Sequence, residues 1–203
     1  MIFHDKRVIF IHIQKTAGNA ISAALGQDPD CPTKHFSASE LRELYGSKIW
    51  DAYFKFAFVR NPWDRLVSWW SMINAARPLL SSGRLNKFHS FVLERATTFE
   101  EFLLNCDQEI ADNDGRKWIY RNQIDYITDA SDQLIVDFVG KFETLEADFA
   151  AIAKKMMGVS IQLPRTNQTI HERYVSYFTE PLANIVAERY RRDIDAFGYR
   201  FGY

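Results

Sequence analysis

Three groups of residues in this chain have types and spacing suited to chemistry: a lysine in a glycine-containing loop, an arginine followed eight residues later by a serine, and a histidine between the two. Lys15 lies in "IFIHIQKTAGNAIS", residues 9–22, where an apolar run stops at Gln14 and a small-residue stretch begins at Ala17. At the carboxyl end of a strand such a loop suits an anion. Gly18 permits close backbone approach, the free amides and dipole of a following helix favour negative charge, and Lys15 adds a point charge. The common nucleotide loop, G-x-x-x-x-G-K-[ST], has its lysine after the second glycine and a hydroxyl for magnesium. Here Lys15 precedes Gly18, and no Lys-Ser or Lys-Thr pair follows that glycine. An ordinary strand-to-helix turn with an exposed lysine is the alternative reading of the loop alone.

The second group is in "FAFVRNPWDRLVSWW", residues 56–70, where Arg60 ends another apolar run and Ser68 follows on a helix. Arginine can hold a phosphate through two parallel hydrogen bonds, and a serine hydroxyl adds one more donor. An Arg60–Asp64 pair with Ser68 on plain surface is the competing arrangement. Two anion-competent groups at the ends of two strands suit one ligand with phosphate at both ends.

The elements that position these residues follow from pattern. Residues 8–13 read as a buried parallel strand, and 17–25 as a helix ended by Gly26 and Pro29. "SASELRELYG", residues 37–46, is a second helix, capped by Ser37 or Ser39 and closed by Gly46. Residues 52–59 are a second central strand. Asn61 caps the next helix with Pro62 at its first position, and Trp63, Leu66, Val67 and Trp70 form its apolar stripe, with Asn61, Arg65 and Ser68 on a different face. Residues 75–120 are weakly patterned: 77–90 reads as loop, and Thr97 with Glu100 as a capping box. Residues 134–143 are strand, 144–157 a helix ended by Gly158, and about 179–196 a last long helix. Alternating strands and helices define an α/β fold, a single P-loop-like domain over residues 1–203 with a central, mainly parallel sheet flanked by helices.

Composition limits the partners. With 25 Lys and Arg against 26 Asp and Glu, no global positive field argues for nucleic acid or an anionic membrane. The two cysteines, Cys31 and Cys106, lack C-x-x-C spacing, which argues against a zinc knuckle or a disulfide framework. The apolar run near the start is too short to span a bilayer, so the expectation is a cytoplasmic protein with no transmembrane segment.

"FIHIQKTAGNAIS" together with "FAFVRNPWDRLVSWW" resembles the paired motifs of the carbohydrate sulfotransferases, the group that includes the heparan sulfate 2-O-sulfotransferases and the chondroitin and dermatan sulfotransferases. "VDFVGKFETLEADF", "LPRTNQT" and "YRRDIDAFGYRF" are similar to later stretches of that family. The resemblance implies a donor, 3′-phosphoadenosine 5′-phosphosulfate, and no metal, which fits the missing Lys-Ser/Thr pair. It places Lys15, Thr16, Ala17, Gly18, Asn19 and Ala20 on the 5′-phosphosulfate, and Arg60 and Ser68 on the 3′-phosphate. Arg165 and Asn167 match a donor-side loop. The acceptor implied is a saccharide or another hydroxyl-bearing molecule, to which Arg121 and Gln123 could hydrogen-bond.

Transfer of a sulfuryl group to a hydroxyl needs a base for the hydroxyl proton and positive charge where the leaving phosphate oxygen becomes negative. Lys15 suits the second role. Of the five histidines, His12 reads as a packed core residue, His4 as terminal, His89 as surface and His171 as loop. His35, in "TKHFSASEL", follows the first helix where related sulfotransferases place a catalytic histidine, and it is the expected base. Two other functions fit parts of the pattern: a P-loop kinase of a small metabolite, which would need magnesium ligands, and a non-catalytic nucleotide-binding scaffold of the same fold.

Overall fold

The computed structural model describes residues 1–26, 31–112, 115–158, 161–164 and 172–202 of the 203-residue chain. In chain order the elements are β1 (Ile2–Phe3), β2 (Val8–Ile11), α1 (Gly18–Ala24), α2 (Ala38–Ala52), β3 (Phe54–Val59), α3 (Pro62–Ala75), α4 (Lys87–Arg95) and α5 (Phe99–Asn105). Next come β4 (Ile110–Asp112), β5 (Gly115–Lys117), β6 (Phe138–Lys141), α6 (Leu145–Met157), α7 (Glu180–Arg189) and α8 (Arg191–Phe197). They fall into two compact units, Met1–Arg60 with Gln123–Gln168, and Asn61–Asn122 with Thr169–Tyr203.

The first unit holds a four-stranded sheet in the order β1-β2-β3-β6. β1 is antiparallel to β2, and the other two pairings are parallel, with Phe10 beside Phe56 and Phe56 beside Phe138. Successive side chains of a strand point to opposite faces. Val8, Phe10, Phe56 and Phe58 therefore share one face, where they pack with Ile21 of α1, Leu25 just after it, and Phe149 and Ile152 of α6. Ile9, Ile11, Ala57 and Val59 are buried as well. Strands covered on both faces explain why both read as continuous apolar runs. Each fully buried phenylalanine contributes about 1.5–3 kcal/mol of transfer free energy.

The sheet is α/β and mostly parallel as expected, but several boundaries differ. β2 ends at Ile11, so His12 and Ile13 already belong to the loop. Ser37 rather than Ser39 caps α2: its hydroxyl accepts from the Glu40 N–H, and the Glu40 carboxylate accepts from the Ser37 N–H. Gly46 kinks this helix at φ 76° without ending it, and helical backbone resumes to Ala52. β3 consequently begins at Phe54. Of residues 134–143 only Phe138–Lys141 are strand. The Asp137 carboxylate accepts from the Lys55 N–H at 2.7 Å and pairs with its ammonium at 3.0 Å, while Leu134 makes a lone bridge with Thr128.

The second unit contains α3, α4, α5, the β4–β5 hairpin, α7 and α8. Asn61 caps α3 by accepting from the N–H groups of Trp63 and Asp64, with Pro62 in the first turn. The expected stripe is buried, and so are Arg65, Ser68, Trp69 and Ile73, so burial extends around the helix beyond the stripe. Arg65 donates to the Arg121 carbonyl at 3.1 Å and to the Tyr190 hydroxyl at 3.3 Å. Part of the stretch expected to be loop is helical: Arg77–Ser82 form a 3₁₀ turn, and Asn86 caps α4. The capping box before α5 is Thr98 with Glu101, one residue later than expected. The last long helix is two helices, broken at Tyr190. Among the described residues, no helix is long and apolar enough to cross a membrane.

Candidate functional site

In open α/β sheets ligands sit beyond the carboxyl ends of the strands. In the first unit, the loops leaving β2 and β3 converge there. The chain leaves β2 through His12, Ile13 and Gln14. Thr16 is fully buried and its hydroxyl donates to the Ile13 carbonyl at 2.9 Å, so this hydroxyl serves the loop rather than facing a ligand. Lys15 and Ala17 on either side take positive φ, 70° and 65°. Side chains rarely adopt that region, at a cost on the order of 1–3 kcal/mol each, and such alternation turns successive N–H groups into an anion-binding concavity.

Burial pushes the Lys15 ammonium down to about 8, and the nearby Arg60 charge adds to the effect. Arg60, at the end of β3, is largely buried; its Nη1 donates to the Lys15 carbonyl at 3.2 Å, and its guanidinium lies 4.0 Å over the Phe142 ring. A cation above an aromatic face gains about 0.5–2 kcal/mol, which helps to hold the guanidinium in place. The Arg60 main chain is gripped by Gln123: its N–H donates to Gln123 Oε1 and its carbonyl accepts from Gln123 Nε2, both at 2.8 Å.

His35, half-buried, stands against the same loop. Its Nδ1 lies 3.2 Å from the His12 carbonyl. A carbonyl only accepts, so Nδ1 carries the hydrogen, and Nε2 is the nitrogen left to take a proton. The His35 ring lies 4.8 Å from that of His12, which is itself buried and stacks on Phe10 at 5.6 Å. Burial, with the nearby His35 as a lesser cause, holds the His12 imidazole well below its usual range. Its Nδ1 is buried with no hydrogen-bond partner. A charged His12 would bury an N–H there without an acceptor, so the ring is neutral.

Gly18 has a reason for being glycine that the loop pattern did not show. A Cβ built on it would come within 1.8 Å of His12 Cδ2 and 1.9 Å of Nε2, because the imidazole lies directly against the start of α1. Asn19 is exposed and Ala20 buried in the first turn of α1.

The structure thus brings residues 15–20, His35, Arg60 and Gln123 together in one unit. Gln123 is fully buried with both ends of its amide on Arg60, a different use from the acceptor contact expected of it. Ser68 and Arg121 belong to the second unit, where Ser68 is buried in α3 and Arg121 is partly exposed. Arg165, Asn167 and His171 lie outside the described residues. His12 is buried, as its reading as a packed core residue requires; sequence reasoning missed Phe142 and Tyr126, whose hydroxyl donates to Gln14 Oε1. Nothing local marks Tyr126.

Two cations and an imidazole are residue types that can hold an anion, support negative charge on a leaving oxygen and accept a proton, the needs of group transfer to a hydroxyl. Among the described residues, no three His, Cys, Asp or Glu side chains cluster as a metal site.

The fold is a mostly parallel α/β one in which β2 leads through a loop with positive-φ residues into α1. The chain belongs to the sulfotransferase family, whose model matches residues 1–200. It is also similar to an uncharacterized protein of Archaeoglobus fulgidus, 29% identical over 119 residues that make up 57% of this chain and 78% of the relative. No solved structure matches it significantly.

Proposed function

We propose that this chain is a cytoplasmic sulfotransferase that moves a sulfuryl group from 3′-phosphoadenosine 5′-phosphosulfate to a carbohydrate hydroxyl, with residues 1–203 acting as one domain. The observation that carries the reading is the closeness of Lys15 and Arg60, two cations from adjacent strand ends: the Arg60 guanidinium donates to the Lys15 main-chain carbonyl, and its charge helps to lower the pKa of the Lys15 ammonium. A ligand with several negative phosphate oxygens relieves that repulsion, and the donor has them. When bound, it supplies the sulfuryl group. The main chain of residues 15–20 would hold its 5′ end, Lys15 would supply positive charge for the leaving oxygen, and Arg60 would take the 3′-phosphate. His35 Nε2 receives the acceptor's proton. Gln123 keeps Arg60 in place. The carbohydrate acceptor is supported by the likeness of the two motifs to the carbohydrate sulfotransferases.

The test is a thermal-shift series. Adenosine 3′,5′-bisphosphate, with no metal added, is expected to stabilise the fold by roughly 2.7 kcal/mol at a hundred times its dissociation constant. A rise in Tm seen only with ATP and magnesium would overturn the reading in favour of a kinase.

Lys15 adds a pH signature. Its folded-state pKa of about 8 means that half its charge is missing at that pH. An adjacent phosphate favours the protonated form and raises the pKa. Bisphosphate binding at pH 8–9 is therefore expected to take up protons, and affinity to fall as pH rises past 8. Calorimetry in two buffers of different ionisation enthalpy measures the uptake, and none between pH 7.5 and 9 would sink the assignment.

A further inference from the structure

We infer that residues 123–128 fasten the two anion-binding strand ends to each other, and that Gln123 and Tyr126 are positioning residues for the donor. The inference rests on the donor reading above and adds to it a device that sets the spacing of the two ends.

The segment is one 3₁₀ turn, Ile124–Tyr126, with its flanks. It is tied internally by the Tyr126 N–H to the Gln123 carbonyl, the Ile127 N–H to the Ile124 carbonyl and the Thr128 hydroxyl to the Ile124 carbonyl, at 3.0–3.1 Å. At three residues per turn, side chains three apart stand in one row. Gln123 and Tyr126 are such a pair, and neighbouring strands lie about 4.8 Å apart, so a single turn can reach two strand ends at once. Gln123 takes the end of β3 through both main-chain groups of Arg60. Tyr126 takes the loop after β2 through Gln14, the residue before Lys15. Both gripping side chains are fully buried. The segment also reaches the His35 side of the site, since the Ser39 hydroxyl donates to the Thr128 carbonyl at 3.1 Å.

One rigid piece therefore fixes the distance from the Lys15 loop to Arg60. A ligand engaging both ends benefits from that fixed distance, because its second contact is made with little further loss of freedom, whereas a ligand engaging one end does not. Tyr126→Phe keeps the ring and removes the bond to Gln14. In titrations with adenosine 3′,5′-bisphosphate, adenosine 5′-phosphate and adenosine 3′-phosphate, the variant is expected to lose about fivefold or more in affinity for the bisphosphate, the fold-change of one neutral hydrogen bond, and less than about twofold for either monophosphate. Gln14→Met removes the same bond from its other side and is expected to show the same pattern if the tyrosine variant does not fold. An equal loss for the bisphosphate and adenosine 5′-phosphate with none for adenosine 3′-phosphate would mean that Tyr126 supports only the Lys15 loop, an equal loss for all three would mean a general structural role, and no loss for any would mean that it positions nothing; each overturns the inference and leaves the donor reading standing. If the unmodified protein binds none of the three, the donor reading fails and this inference with it.

Discussion

His35→Ala is expected to lower turnover by roughly 10² to 10⁴, the contribution of a positioned general base, while leaving the affinity for adenosine 3′,5′-bisphosphate nearly unchanged. A sugar hydroxyl is a poor nucleophile at neutral pH until a base takes its proton as the new S–O bond forms. The His12 carbonyl holds Nδ1–H of His35 at 3.2 Å and so leaves Nε2 for that task. Release of the bisphosphate from the donor gives the rate, and titration with the bisphosphate gives the affinity. In the unmodified enzyme the rate should fall on acidification as the imidazole takes up a proton, and this limb should be absent from the variant. Near-normal turnover of His35→Ala, alongside an inactive His89→Ala that still binds the bisphosphate, would move the base elsewhere.

Gly18→Ala should destabilise the protein by about 1–3 kcal/mol in chemical denaturation, the usual cost of overpacking. The sign is informative, because in an ordinary helix the same change stabilises by up to about 1 kcal/mol. Here the added methyl would sit 1.8 Å from the His12 ring, which cannot retreat because Phe10 lies against its face and His35 beside it. Adding His12→Ala removes the obstacle, so the double variant is expected to be at least as stable as His12→Ala alone. A Gly18→Ala protein as stable as the parent would show that the ring moves freely.

Local signals made the two strand-end loops readable. An apolar run, a polar break and a glycine marked the end of β2, and Asn61-Pro62 marked the start of α3 because a cap and its proline act within a few residues. What could not be read depended on partners distant in sequence. Gln123 looks like a free amide until Arg60, 63 residues earlier, is placed against it. Leu134 to Val136 have strand composition, but the carboxylate of the next residue, Asp137, is spent on Lys55, and the strand starts after it. Gly46 has the residue type of a helix end, yet only that one residue turns aside before helical backbone resumes. The pattern put Arg65 off the apolar stripe of α3 without showing what it meets there: main-chain and tyrosine oxygens inside the second unit accept its hydrogen bonds. The helix at Lys87–Arg95 was missed although Phe88, Phe91 and Val92 carry its period, because the preceding glycine and serines dominated the reading.

The parallel register of the sheet bears on how the chain is made. β3 joins β2 on one side as soon as residue 59 is available, but its other edge is completed only by Phe138–Lys141, about eighty residues later. Such distant pairing is slow to form, since the intervening chain must be gathered before the contact gives anything back. A growing or truncated chain therefore presents "FKFAFV" with one row of amides and carbonyls open, an apolar six-residue strand of the kind that pairs with copies of itself. During synthesis, that edge is where the nascent protein most needs shielding, and arrival of β6 ends the exposure.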